Sequence, residues 1–186
     1  VASLVVDVGG GTTDIAVVSL KDIVFAVSLR QGGDAMDEAI IHHMRRRHHL
    51  LIGETTAELV KKTIGSAHSD YDNQEMEVRG RSLTSGAPAS LVVSGDEIRE
   101  AIGEVVHSII AGVRHALENT PPELSGDIMT TGIALAGGGA LLKGLDKRIA
   151  EELKVNVAIG DDPLAAVVKG AGICLDNLEL YRELLF

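Results

Sequence analysis

A chain of 186 residues with a formal net charge of -10 lacks the clustered Lys and Arg that non-specific nucleic-acid binding needs, which excludes that class of function. It is 45% hydrophobic, ample for one core or two small ones, but two Phe, two Tyr and no Trp make that core aliphatic. The one cysteine, Cys174, excludes an internal disulfide and suits a reducing cytoplasm; no apolar run approaches the roughly 20 residues of a membrane span, and no signal peptide is visible.

In chain order, Val1 to Asp7, Asp14 to Leu20 and Ile23 to Leu29 read as strands, with a short turn at Lys21-Asp22, predicting an antiparallel meander. The chain lacks a starting Met and opens almost at once on a strand, the pattern of a fragment of something longer. The first two strands flank Gly9, Gly10, Gly11, Thr12 and Thr13. Glycines let a turn approach a ligand closely, and successive N–H groups can form a nest for anionic oxygens. Asp7, at the end of the first strand, would need a cation between itself and a phosphate, so it is the candidate holder of a hydrated Mg²⁺. The same residues also read as a glycine-rich hairpin with no ligand. They are neither a Walker loop nor a Rossmann fingerprint, because no Gly-Lys-Ser/Thr ending follows and the next segment is a strand.

Asp34 is a plausible N-cap for a helix that buries Met36, Ile40, Ile41 and Met44 and runs to about His49. The basic run Arg45-Arg46-Arg47-His48-His49 suits its C-terminal end. Thr55 to Ile64 predicts a second helix, capped by Thr55 or Thr56, with Ala57, Val60 and Ile64 inward and Gly65 as its stop. Glu58 and Lys61 share a face of it, either as a pair that hydrogen-bonds a ribose or base, or as the solvated surface pair that is commoner for this spacing. After a polar turn, Met76 to Arg81 and Ser90 to Val93 read as short strands around Ser85-Gly86-Ala87-Pro88. Residues 52–98 break the α/β rhythm and predict a small inserted α+β subdomain.

Ser94 opens a Ser-x-x-Glu capping box, and one long helix follows through Ile98, Ile102, Val105, Val106, Ile109 and Val113 to about Asn119, ended by Pro121-Pro122. Glu123 to Thr131 reads as a short helix and Gly132 to Ala136 as a buried strand. Gly137, Gly138, Gly139 and Ala140 then lead into a helix from Leu141 to Leu153 that turns Leu142, Leu145 and Ile149 inward. Such a triplet at a strand's carboxyl end lets backbone approach a ring or phosphate, or serves close helix–strand packing alone. Val155 to Ile159 is a strand; Asp162 and Pro163 open a helix from Leu164 to about Cys174, and a leucine-rich tail follows. The order predicts an α/β fold with a mixed sheet. The seven histidines show no metal-type spacing, with the adjacent pairs His42-His43 and His48-His49 expected at the surface, and no Ser-His-Asp or Cys-His arrangement marks a catalytic nucleophile.

Taken together, the motifs carry a resemblance. Asp7-Val-Gly-Gly-Gly-Thr-Thr13 is similar to the second phosphate motif of the actin, heat-shock chaperone and sugar-kinase superfamily, and Gly137-Gly-Gly-Ala140 to its adenosine motif. The stretches Gly32 to Ile41, Leu51 to Glu58 with Lys61, Ile64 to Ala67, Val78-Arg-Gly-Arg81, Pro122-Glu-Leu, Asp127-Ile128 and Asp162-Pro-Leu164 narrow it to the MreB family of bacterial actin-like rod-shape proteins. The resemblance spans nearly the whole chain but only half of that family's pattern. The first phosphate loop and the helix whose glutamate positions the attacking water are not matched. It implies a ribonuclease-H-like nucleotide-binding core (subdomain IIA, residues 1–51 and 99–186) with an inserted subdomain IIB (52–98). By that match Asp7 would bind Mg²⁺ through water. Gly9, Gly10, Gly11 and Thr12 would donate to the β- and γ-phosphates of ATP or ADP, with Thr13 near the γ-phosphate. Glu58 and Lys61 would contact ribose and adenine, and Gly137, Gly138, Gly139 and Ala140 would line the adenosine pocket. Asp14 departs from the family's glutamate. The implied function is an ATPase that polymerises on itself at the inner face of the cytoplasmic membrane and directs lateral wall synthesis with the cell-wall elongation machinery. These residues by themselves would show negligible ATPase activity. The alternatives are a monomeric chaperone-type or sugar-kinase lobe, or an ATPase-dead scaffold.

Overall fold

The structure, a computed structural model, describes residues 1–19 and 22–160. The expected strand end at Leu20, the Lys21 turn, the helix opened by Asp162 and the leucine-rich tail lie outside the described residues. Strands β1 (Ala2–Val8), β2 (Thr13–Ser19) and β3 (Asp22–Leu29) form the antiparallel meander, and Asp22 already belongs to β3. On its other edge β1 pairs in parallel with β7 (Ile133–Ala136), and β7 in turn with β8 (Val157–Ile159). The mixed sheet therefore has the order β3-β2-β1-β7-β8. Its central strand is covered on both faces, which is why Leu4, Val5 and Val6 are apolar without alternation and all buried.

Helix α1 (Gly33–His48) buries Met36, Ile40 and Met44 completely. Each such side chain contributes about 1.5–3 kcal/mol, more than the ~1 kcal/mol of a good cap, so the apolar stripe fixes this helix. Asp34 is not the N-cap: Gly32 holds that position, and no side chain caps it. The N–H groups of Gly33 and Asp34 instead donate to the carbonyls of Gly9 and Gly10, each at 2.9 Å. The first helical turn is thus capped by the glycine turn between β1 and β2.

A second, three-stranded sheet has the order β4-β5-β6, with β4 (Leu50–Leu51), β5 (Glu75–Ser82) and β6 (Pro88–Ser94). Helix α2 (Glu54–Ile64) packs beside β5 and buries Ala57, Val60 and Ile64 as expected, but its N-cap is Gly53 rather than either threonine. The single long helix expected after Ser94 is two, α3 (Gly95–Ala101) and α4 (Gly103–Glu118), broken at Ile102 (φ -91°, ψ 0°), immediately before Gly103. Ser94 is the N-cap, yet the capping box does not form. Its hydroxyl donates to the Asp96 carboxylate, and the Glu97 carboxylate is engaged by His43 and His48. Those two imidazoles are therefore half-buried rather than free at the surface.

Helix α5 (Pro122–Thr131) docks on β1: Asp127 accepts from the Ala2 N–H at 3.1 Å and Thr131 donates to the Ala2 carbonyl at 2.8 Å. Residues Gly138–Leu141 form one 3₁₀ turn, and α6 (Leu145–Leu153) starts only after Gly144, later than expected, with Leu145 and Ile149 buried. Among the described residues no helix is long and apolar enough to cross a membrane.

Candidate nucleotide site

Parallel pairing puts the carboxyl ends of β1 and β7 side by side, and each strand leaves the sheet through a glycine triplet. At that edge lies a cavity of about 340 Å³, bordered by Gly9, Gly10, Gly33, Lys61, Gly138 and Gly139. This is where ligands sit in α/β sheets. Asp37, Glu58 and Lys62 add charge to its wall, and Met36, Leu141 and Leu142 add apolar surface.

The first triplet is held as a tight turn by the Gly9 N–H, which donates to the Thr12 carbonyl at 2.9 Å. The carbonyls of Gly9 and Gly10 point at the start of α1. In a trans peptide the N–H lies opposite its carbonyl, so the N–H groups of Gly10 and Gly11 point away from α1 to the outer side of the turn. A Cβ at Gly11 would meet nothing within 4 Å. Packing does not require glycine there, and the open face suits an approaching phosphate. Thr12 is exposed on the same turn. Thr13 is fully buried, and its hydroxyl donates to the Gln31 carbonyl at 2.5 Å, so it ties the hairpin to the loop before α1.

The second triplet divides by role. Gly137 has φ +83°, and a Cβ there would lie 2.4 Å from the Val8 carbonyl oxygen and 2.5 Å from Asp7 Oδ1. A Cβ on Gly139 would lie 2.3 Å from Val8 Cγ1. These two are glycine because β7's exit crosses the end of β1. A Cβ on Gly138 would meet nothing within 4 Å, and Gly138 borders the cavity, so it is the member left open to a ligand. Ala140 is buried, its N–H donating to the Gly137 carbonyl at 3.1 Å. Asp7 borders this crossing, and register sets Asp14 directly opposite it on β2, where Asp14 accepts from Ser28 at 2.7 Å.

Glu58 and Lys61 do not pair with each other. Lys61 reaches back to α1, donating to the Gly33 carbonyl at 3.0 Å and lying 2.8 Å from Asp37 Oδ1. Its side chain is only 14% exposed and that of Asp37 12%. The contact is an ion pair outside hydrogen-bond angles, so the buried Oδ1 has charge beside it but no aligned donor. Glu58 pairs with Lys62 at 2.7 Å, and the hydrogen bond and charge of Lys62 hold its carboxyl below the usual range. Both partners are exposed, so that pair adds little to stability. The site thus offers peptide N–H donors and a buried ammonium near the strand ends, and a carboxylate acceptor one turn earlier in α2. That donor set fits a phosphate group followed by a polar nucleoside. Of the residues expected here, Gly9, Gly10, Glu58, Lys61, Gly138 and Gly139 border one cavity; Thr13, Gly137 and Ala140 build its frame. Asp37 and the Gly33 carbonyl were not foreseen. The available signal was an acidic residue set between Met36 and Ile40 beside the apolar stripe of α1.

Known proteins resemble this chain in sequence and fold. A family model described as MreB/Mbl protein matches residues 1–183. The cell shape-determining protein MreB of Escherichia coli (strain K12) is 46% identical over 184 residues, which cover 99% of this chain and 53% of that one. The cell shape-determining protein Mbl of Bacillus subtilis (strain 168) is 45% identical over 177 residues, 95% of this chain and 53% of its own. This chain therefore spans about half the length of the curated relatives it matches. The crystal structure of MreB5 of Spiroplasma citri bound to AMPPNP superposes with a TM-score of 0.84 at 38% identity, covering 98% of this chain and 55% of that one. The MamK double helical filament gives a TM-score of 0.72 at 25% identity, over 87% of this chain and 50% of that one. The mixed sheet with its helices is thus an actin-like fold, and the chain belongs to the MreB/Mbl family.

Proposed function

We propose that these residues form the nucleotide-binding lobe of an actin-like cytoskeletal ATPase. The observation that carries this reading is the cavity at the paired ends of β1 and β7, bordered by Gly9 and Gly10 of one triplet and by Gly138 of the other, where a Cβ would meet no atom within 4 Å. In this reading Gly9, Gly10, Gly11 and Thr12 bind the phosphates of ATP or ADP. Gly137 and Gly139 bring β7's exit close enough for Gly138 to border the nucleoside, and Lys61 and Glu58 orient it. Asp7 holds Mg²⁺ through water, and the ion neutralises phosphate charge when bound. MreB5, one of the solved relatives, is bound to AMPPNP in one structure and to ADP in another, which supports the ligand class.

Hydrolysis and polymerisation are assigned to a protein of the relatives' full length, since this chain spans about half of it. That protein assembles with copies of itself at the inner face of the cytoplasmic membrane and directs rod shape and lateral wall synthesis with the cell-wall elongation machinery. Support comes from the relatives named cell shape-determining proteins and from the MamK filament; those names favour this reading over a monomeric chaperone or sugar kinase. The test is sedimentation and phosphate release of the full-length protein carrying this chain, with Asp7→Ala as control. ATP-dependent pelleting that the substitution abolishes is expected; failure to pellet in every nucleotide state overturns the proposal.

A further inference from the structure

At the end of α1 opposite the glycine turn, three side chains from two helices converge. His43 and His48 lie in the last turns of α1, and Glu97 lies in the first turn of α3. Both imidazole Nε2 atoms address the same carboxylate oxygen, Oε1: that of His43 at 2.8 Å, that of His48 in closer contact still. The two rings stand edge to face, 6.0 Å between centroids. One ligand atom from each residue falls within 4.8 Å of the other two. The side chains are 16%, 25% and 19% exposed, buried enough to be held in place and open enough to admit a small ion.

We propose that His43, His48 and Glu97 form a binding site for a borderline divalent cation of the zinc class. Two imidazole nitrogens and a carboxylate oxygen are the donors such ions prefer, whereas Mg²⁺ and Ca²⁺ prefer all-oxygen sites. Zinc bonds of about 2.0–2.2 Å place tetrahedral ligand atoms about 3.3 Å apart. The two nitrogen–oxygen spacings are tighter, so the imidazoles draw back from Glu97 by about half an ångström or more of side-chain rotation as an ion enters. Three protein ligands leave the fourth position to water. Burial raises the Glu97 pKa, but the hydrogen bonds and charge of His43 and His48 hold it below its ordinary value. To ligate, each imidazole presents an unprotonated Nε2, so the protons these nitrogens share with Glu97 move to Nδ1 or leave to solvent as the ion binds. Arg45, Arg46 and Arg47 nearby are exposed, where solvent and salt weaken their opposition to a cation. The bound ion would clasp α1 to the helix that follows the second sheet. It stands apart from the nucleotide site, which none of the three residues borders.

The test uses the 186-residue chain stripped with a chelator and titrated calorimetrically with Zn²⁺, then with Co²⁺ followed by absorption. One equivalent of Zn²⁺ is expected, with excess Mg²⁺ failing to compete. His48→Gln and Glu97→Gln should each weaken binding about tenfold or more, and the double variant His42→Gln/His49→Gln should leave it unchanged. Far-UV circular dichroism checks that the variants fold. Co²⁺ on the unaltered chain needs no variant: intense bands of low coordination number support the site, and weak octahedral bands overturn it. Absence of stoichiometric Zn²⁺ uptake, or uptake that survives both substitutions, also overturns it.

Discussion

At the scale of single residues, adjacent glycines of identical appearance do different work. Gly137 sits at positive φ against the Val8 carbonyl, so Gly137→Ala forces both strained dihedrals and a backbone clash. We expect it to cost at least about 1–3 kcal/mol, measured by urea unfolding. A Cβ on Gly138 meets nothing within 4 Å, so we expect Gly138→Val to change stability by less than about 1 kcal/mol. Binding of a fluorescent ATP analogue to the full-length protein should nevertheless fall, because the added side chain enters the cavity. Loss of stability with binding retained in Gly138→Val would contradict the site. Lys61 gives a second case. Lys61→Ala removes the ion-pair partner of the buried Asp37 carboxylate, a loss of roughly 3–5 kcal/mol for a fully buried pair and less here at 12–14% exposure and with Lys62 in reach. Adding Asp37→Ala should recover part of it, and a double-mutant cycle with no coupling would refute the pair.

Among the elements, α1 shows packing outweighing capping. Ile40 is fully buried in the core, so Ile40→Ala should cost about 2–5 kcal/mol. Asp34→Ala should cost under about 1 kcal/mol, since Asp34 contributes charge near the helix start and no cap. Thermal melts of the two variants separate these outcomes; equal losses would restore Asp34 as the cap. The break between α3 and α4 has a similar cause. Apolar periodicity runs unbroken from Ile98 through Ile102 to Ile109, and all three are fully buried. Periodicity reports the buried face and is blind to a one-residue turn that keeps that face buried, here at Ile102.

For the whole molecule, two sheets share one contiguous aliphatic core. Val60, Val78, Val93 and Ile98 of the second sheet and its helices join Leu4, Val6 and Ile40 of the first unit. The proposed nucleotide cavity draws on both, with Gly9 and Gly138 from the mixed-sheet unit and Glu58 and Lys61 from α2. A one-sided site positions a phosphate but cannot surround it, and phosphoryl transfer depends on positioning and charge neutralisation from all sides. We therefore expect the 186-residue chain to bind ATP weakly and to release no measurable phosphate. A turnover rate matching a full-length relative in a phosphate-release assay would refute this.

The sequence by itself determined the strands of the meander, the apolar faces of α1, α2 and α4, and the places of the two glycine turns. These follow from local periodicity and backbone freedom, which a stretch of chain carries wherever it lies. Only the tertiary structure decided which side chains meet. Gly9 and Gly10 cap a helix that starts more than 20 residues later, and Lys61 turns to Asp37 instead of Glu58. His43 and His48, five apart and so on different faces of a helix, converge only because Glu97 reaches between them from α3. Each of these contacts joins residues far apart in the chain, and its energy depends on distance and burial, which exist only once the core has closed.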